Sequence, residues 1–499
     1  MRHLLLLAGL LSASPLYAAP LDKIHNIVVI YGENRSFDSL YGLYPGADGL
    51  LNLKPAQYLQ TDRDGTPFSL LPPIWHEDRK QASAIDPMFA AQPQPANKPF
   101  RIDAPPYGIK LGDETRDQVH RFYQSQMQIN GGKMDRFAAW SDGGALVMGH
   151  YDGSQMKLWQ LARRFTLADQ FFMGAFGGSF LNHMWLACAC TPSFPDAPAK
   201  LRSVVEDDGI TLKQTAESPK SALQGPPVYV ADKSITPDGF AVNTMQPSFQ
   251  PSGIAPASDG DTTRANPAQH PLPVQTAATL GDRLSAKGVS WAWFGAAWNQ
   301  AVADGPLPDA QRRAIYHYDG DAQGFNAHHQ PYNYFANYAP GSAARSEHLK
   351  DGEDFERAIG AGTLPQVSFY KPAGKLNQHP GGDLAAGDAH IAGVVERIMR
   401  GPQWKNTLII VTYDENGGFW DHVAPPKGDR WGPGPRVPTL LISPWVKKGF
   451  VDHTVYDTTS IHRLINRRFG LDPLPGVRAF GDLTAALTSG QGKRGKRSK

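Results

Sequence analysis

TLIIVTYDENGGFWDH, residues 407–422, opens on a run from Thr407 to Tyr413 that is apolar or β-branched, without polar alternation. Such a run suits a strand buried on both faces, as in a parallel sheet. It stops at Asp414 and Glu415, and Gly417-Gly418 then let the chain turn away. In open α/β sheets, ligands sit beyond the carboxyl ends of strands. Two adjacent carboxylates at such an end repel one another unless a proton or a cation compensates them. A metal ion is the simplest compensation.

Ile24 to Tyr31 (IHNIVVIY) repeats the device, with Gly32, Glu33 and Asn34 directly after it. Either stretch alone reads equally as a solvated turn. Together they predict one shared metal site, its oxygen ligands delivered from nearly opposite ends of the chain. Further strands are expected at Thr166–Phe172, Val289–Phe294, Gln366–Tyr370 and Thr439–Pro444. Helices are expected at Arg116–Asn130, Ser154–Phe165 (Ser154 as N-cap), Phe180–Cys188, Ala389–Arg400 and Thr458–Phe469. This alternation predicts an α/β fold with a mostly parallel central sheet flanked by helices. The 50 Gly and 42 Pro point to long loops on that core, and residues 193–278 read as insertions that wall or lid a site.

With 49 basic and 47 acidic residues the net charge is +2, so no global field directs the chain to nucleic acid. Residues 1–19 have the tripartite pattern of a secretory signal: Arg2 and His3, the apolar Leu4 to Leu11, then small residues with cleavage after Ala18 or Ala19. That predicts a periplasmic or secreted protein. No later segment approaches the ~18 apolar residues of a membrane span. Residues 20–490 are expected to form a single domain, and 491–499 a frayed basic tail. Cys188 and Cys190 stand two apart, where a bridge closes a very tight ring, so they read as buried thiols.

The stretch Gly174 to Cys188 reads as a Gly-rich turn, Ser179, then a helix. Ser179 is either an ordinary N-cap or a hydroxyl nucleophile helped by the helix dipole and a bound cation. Gly177-Gly178 would let the backbone approach a phosphate. Asn182 and His183 follow within one turn and can face the same place. His120 lies on an expected helix among aromatics and by itself reads as packed. His328 and His329 are adjacent, so one of them is expected to reach a shared ligand. His379 lies just past an expected strand. Carboxylate, amide and hydroxyl oxygens suit a hard divalent ion, and histidines beside it can protonate a leaving group. That set describes phosphoryl or sulfuryl transfer better than acyl transfer, because the Gly-x-Ser-x-Gly elbow is incomplete.

IHNIVVIYGENRSFDSLYG, AFGGSFLNH, TYDENGGFWDHVAPP and GPGPRVPTLLISPW resemble the signatures of the bacterial phosphoesterase family that unites phospholipases C with secreted acid phosphatases. VHRFYQSQMQINGG (119–132) and HHQPYNYF (328–335) are more similar to the acid phosphatase branch. The resemblance implies an alkaline-phosphatase-like sheet and one divalent metal held by Glu33, Asn34, Asp414, Glu415 and the nucleophile Ser179. It also implies a pocket lined by His120, His328, His329 and His379, with Asn299 a looser match. A chain ending near residue 490 favours the phosphatase branch, since phospholipases of the family often carry further C-terminal domains. The expected activity is hydrolysis of phosphate monoesters through a phosphoserine, with an acidic optimum. The alternatives are a phospholipase C and, further off, a non-catalytic metal-dependent binding protein.

Overall fold

A computed structural model describes residues 20–78, 83–318 and 324–488. The expected signal segment and basic tail lie outside the described residues. The main sheet contains β1 (Asn26–Gly32), β2 (Thr166–Ala168), β3 (Trp291–Gly295), β4 (Leu349–Asp351), β5 (Val367–Lys371), β6 (Thr407–Tyr413), β7 (Thr439–Ile442) and β8 (Phe450–Asp452). Their spatial order is β8-β2-β7-β6-β1-β5-β3-β4. β1 lies between β5 and β6 and pairs in parallel with both. β3 is parallel to β4 and β5, and β8 to β2. β7 runs against both of its neighbours.

Every residue of β1 and β6 is buried, as the unbroken apolar runs require of strands covered on both faces. Their register sets Gly32 opposite Tyr413. Glu33-Asn34 and Asp414-Glu415 therefore leave neighbouring strands at one level, although Asn34 and Asp414 are 380 positions apart.

The helices that matter below are α1 (Phe37–Tyr41), α2 (Phe122–Ile129), α3 (Lys157–Arg164), α4 (Ser179–Cys188), α5 (Leu384–Arg400) and α6 (Thr458–Phe469). β6 and α6 have the expected bounds. α5 begins before Ala389 because Asp383 caps it through the Ala386 amide. α2 begins at Phe122 rather than Arg116. The guanidinium of Arg116 is tied to Trp75 O and Asp142, and Asn243 Oδ1 accepts from Phe122 N, so residues 116–121 stay outside the helix. His120 is thus not helical. Nor does Ser154 cap α3: it sits in a preceding turn capped by Asp152.

The expected strand Thr166–Phe172 is broken at Asp169, whose buried carboxylate accepts from Asp48 N and meets His453. Phe171-Phe172 pairs instead with Tyr456-Asp457. The short edge strands β4 (LKD) and β8 (FVD) carry no apolar run that marks them in the sequence. Residues 193–278 form turns, isolated bridges and two short 3-10 helices, and their Ser234, Asn243 and Thr244 wall the cavity described next.

The cysteines correct the reading of free thiols. Cys188 and Cys190 are disulfide-bonded. α4 ends at Cys188, and Ala189 takes a left-handed conformation (φ 46°, ψ 43°) that reverses the chain and sets the two Cα atoms 5.1 Å apart. That spacing lies in the ordinary disulfide range. Among the described residues no helix is long and apolar enough to cross a membrane.

Candidate active site

The loops after β1 and β6 pack backbone to backbone. Asn34 has φ 61° and Gly417 φ 62°, and a Cβ on Gly417 would stand 2.5 Å from Asn34 O, so only glycine fits there. Arg35 N donates to Glu415 O at 3.0 Å, and Asn34 N to Asp414 Oδ1 at 3.1 Å. Asp414 Oδ1 also accepts from Glu415 N, whereas its Oδ2 is buried without a hydrogen-bond partner.

α4 brings the hydroxyl. Gly178 occupies the N-cap and Ser179 is the first helical residue, so the serine does not cap the helix. Its Oγ lies 3.1 Å from Asn34 Oδ1 and 3.3 Å from Glu415 Oε1. A hydroxyl carries one proton. It can donate to only one of these two oxygens, so the other contact needs a proton on Glu415 or a shared cation. Gly177 serves a different end from the one expected. Its φ is 91°, and a Cβ there would meet Phe122 N at 2.5 Å, so it admits the 120–122 segment rather than a phosphate.

Glu33 is turned the other way. Its Oε1 lies 2.6 Å from His329 Nε2 and 3.3 Å from Lys371 Nζ, and its Oε2 accepts from Asn377 Nδ2. The oxygens of Asn34, Ser179, Asp414 and Glu415 thus gather at one point, while Glu33 stands beside it among histidine, lysine and asparagine. Lys371 and Asn377 are absent from the sequence reading. Lys371 is the last residue of β5, the position after a predicted strand that drew attention to the acids.

A cavity of about 290 Å³ opens above Ser179 and Glu33, walled by His120, His328, His379, Arg121, Asn243 and Tyr316. His328 and His329 have perpendicular rings; His328 lines the cavity and His329 holds Glu33 from behind. His120 Nδ1 is 2.6 Å from Gln118 O, and its Nε2 is 3.3 Å from Asn34 Nδ2 and 3.5 Å from Glu415 Oε1. His379 is half-buried at the junction with a second, larger cleft.

Three expected site residues lie elsewhere. Asn182 is wholly buried and wraps the Gly-rich turn, accepting from Ala175 N and donating to the carbonyls of Ala175, Gly177 and Gly178. It shapes the loop and does not face the cavity. His183 is also fully buried, its Nδ1 2.7 Å from Ser179 O and 3.7 Å from Asp414 Oδ2. It supports the floor from beneath. Asn299 is exposed at the start of a short helix after β3, its amide donating to Asp351, and it lines a separate cavity with Tyr370 and His390.

The electrostatics mark the same point. Burial pushes the Asp414 carboxyl up to about 6, against Lys371, with Glu33 adding to the rise. Burial also pushes Glu415 up to about 8, against His120 and with the help of Asp414. Burial would raise Glu33 too, but His329 and then Lys371 hold it well below the carboxylate range. Burial keeps His328 and His183 well below the usual imidazole value. For His120 burial is outweighed by Glu415 and Asp117, which bring it to about 9. Two adjacent buried carboxylates short of positive charge, one with an orphaned oxygen, fit a hard divalent cation.

These features define a class: an α/β protein whose oxygen-donor site lies beyond the carboxyl ends of its central strands. The sequence model of the Phosphoesterase family matches residues 24–472, and the chain belongs to that family. It is a phosphoric ester hydrolase. Phospholipase C B of Mycobacterium tuberculosis is 24% identical over 498 residues, covering 93% of this chain and 76% of the relative. The non-hemolytic phospholipase C of Pseudomonas aeruginosa is 24% identical over 507 residues, covering 94% and 57%. Among solved structures, an alkaline phosphatase superfamily protein from Vibrio parahaemolyticus aligns with a TM-score of 0.33 at 12% identity, covering 78% of this chain and 76% of that one.

Proposed function

We propose that this chain is an exported, metal-dependent acid phosphatase that hydrolyses phosphate monoesters through a phosphoserine on Ser179. The observation that carries the reading is the Ser179 hydroxyl at the first position of α4, on the cavity floor and within 3.3 Å of both Asn34 and Glu415. One divalent cation would be held by Asn34, Ser179, Asp414 and Glu415, with Glu33 alongside. When bound, it lowers the hydroxyl pKa and neutralises phosphate oxygens. Ser179 Oγ gives up its proton to water and attacks phosphorus as the ester P–O bond breaks. The leaving oxygen takes its proton from His379, which stands where the cavity meets the second cleft. His120 and His328 donate to the non-bridging oxygens. Water then cleaves the phosphoserine and restores the hydroxyl.

A phospholipase C is the second reading, favoured by the activity for which the bacterial relatives are named. A histidine wall around a phosphate-sized cavity of about 290 Å³ supports the monoesterase, and the larger adjoining cleft leaves room for leaving groups of different size. The deciding assay compares catalytic efficiency on an aryl phosphate and on phosphatidylcholine, using metal-analysed mature protein across pH. Higher efficiency on phosphatidylcholine overturns the first choice.

A further inference from the structure

Beyond the cavity, the FWDH of residues 419–422 and the Arg436 of GPGPR have no part in the chemistry above, yet they converge on one buried cluster. Arg436 is fully buried. Its Nε donates to Asp421 Oδ1 at 2.8 Å, and one terminal nitrogen lies 3.2 Å from Asp38 Oδ1. The other terminal nitrogen donates to Asp48 O and Asp169 O, at 2.8 and 2.7 Å. Asp38 Oδ2 accepts from the backbone and ring nitrogens of His422, and Asp38 N donates to Asp421 Oδ2. Ser36 Oγ donates to Trp420 O, and Phe37 N to Arg436 O.

Asp38 lies in α1, directly past the Glu33-Asn34 loop, and Asp421 closes the loop that starts at Asp414-Glu415. A single guanidinium therefore ties together the segments that follow both ligand-bearing loops, and neither Arg436 nor these two carboxylates line the cavity. Asp38, Asp421 and His422 bring their ligand atoms close enough to hold an ion. Arg436 already supplies the positive charge among them, so the cluster needs none. A buried ion pair is weak ground for stability, because desolvation offsets most of the attraction. What the planar fork does impose is direction: hydrogen bonds at fixed angles to two carboxylates and two carbonyls.

We infer that Arg436 is a positioning residue, whose clamp on Asp38 and Asp421 sets the separation of the two loops and so the spacing of the metal ligands. The inference rests on the metal site proposed above. A ligand set tolerates errors of only about 0.5 Å, and loss of an outer contact to a metal site typically lowers affinity or activity about 10–100-fold.

The test uses metal-stripped mature protein titrated with Mn²⁺, the free ion being followed by electron paramagnetic resonance, with kcat and KM on an aryl phosphate alongside. Arg436→Lys should weaken Mn²⁺ binding about 10–100-fold and lower kcat, with KM much less affected. Asp421→Leu, which removes both acceptor oxygens of the clamp at similar side-chain volume, provides the same readouts if the arginine variant does not fold. Arg312→Lys removes another buried guanidinium, one bonded to Ser252 O, Gln250 and Gly305 O, and should leave Mn²⁺ affinity unchanged. Native Mn²⁺ affinity and kcat in folded Arg436→Lys or Asp421→Leu overturn the inference. No Mn²⁺ bound by the unmodified protein overturns the metal reading itself, and the inference with it.

Discussion

Replacing Ser179 by alanine separates a nucleophile from a structural hydroxyl. An N-cap serine contributes ~1 kcal/mol, but the N-cap here is Gly178, so no capping energy is at stake. The substitution removes contacts of 3.1 and 3.3 Å to Asn34 and Glu415 and leaves no buried donor unpaired on residue 179. A net hydrogen bond is worth ~1 kcal/mol, so the cost in stability should stay near that figure. Catalysis should fall by about 10³-fold or more, at least ~4 kcal/mol of barrier, because no other hydroxyl takes the place of Oγ. The assay is turnover of an aryl phosphate by Ser179→Ala, with thermal unfolding measured in parallel. Mass spectrometry of acid-quenched unmodified enzyme should show phosphate on the Ser179 peptide. A folded variant that keeps more than about a tenth of the rate, or a quench with no phosphorylated peptide during rapid turnover, refutes the nucleophile.

Asp414→Asn should lose the metal and the activity while keeping the fold, checked by metal analysis and circular dichroism. Full occupancy with normal turnover counts against the site. Asn182→Ala should destabilise the protein by roughly 2–3 kcal/mol in chemical denaturation, since it leaves the Ala175 amide and the carbonyls around it without their partner. His422 is depressed by burial, but Asp38, and then the hydrogen bonds to Asp38 and Asp48, raise it to about 10. A folded-state value above the unfolded ~6.5 means that its stabilisation is complete below ~6.5 and is lost as pH rises through about 10. The gap in melting temperature between the unmodified protein and His422→Gln should therefore narrow from pH 6.5 to 10. A constant gap refutes the charge assignment.

Thr407–Tyr413 and Ile24–Tyr31 were legible because a strand buried on both faces needs an unbroken apolar run, and such runs are local. The same holds for the acids and amide that end each run, and for α6. The Ser179 region was legible as turn plus helix, but its choice between cap and nucleophile was not. Cap geometry turns on the φ/ψ of Gly178 and on where Oγ points, and the partner atoms come from residues 34 and 415. Asn182 and His183 follow Ser179 in the chain, yet helical rotation sends one around the loop and the other under the floor. Lys371 went unnoticed because a lysine after a strand is ordinarily solvated; only the packing of β5 beside β1 buries it against Glu33.

By itself, then, the sequence determined the central strands, the oxygen donors at their ends and the family resemblance, all of which depend on residues close together in the chain. The tertiary structure decided which donors meet. The parallel pairing of β1 with β6 sets Gly32 opposite Tyr413, the left-handed turn at Ala189 closes the disulfide, and Arg436 ties the two loops together. Each joins segments through crossovers or backbone reversals, and no local pattern of apolar and polar residues records where those bring the chain.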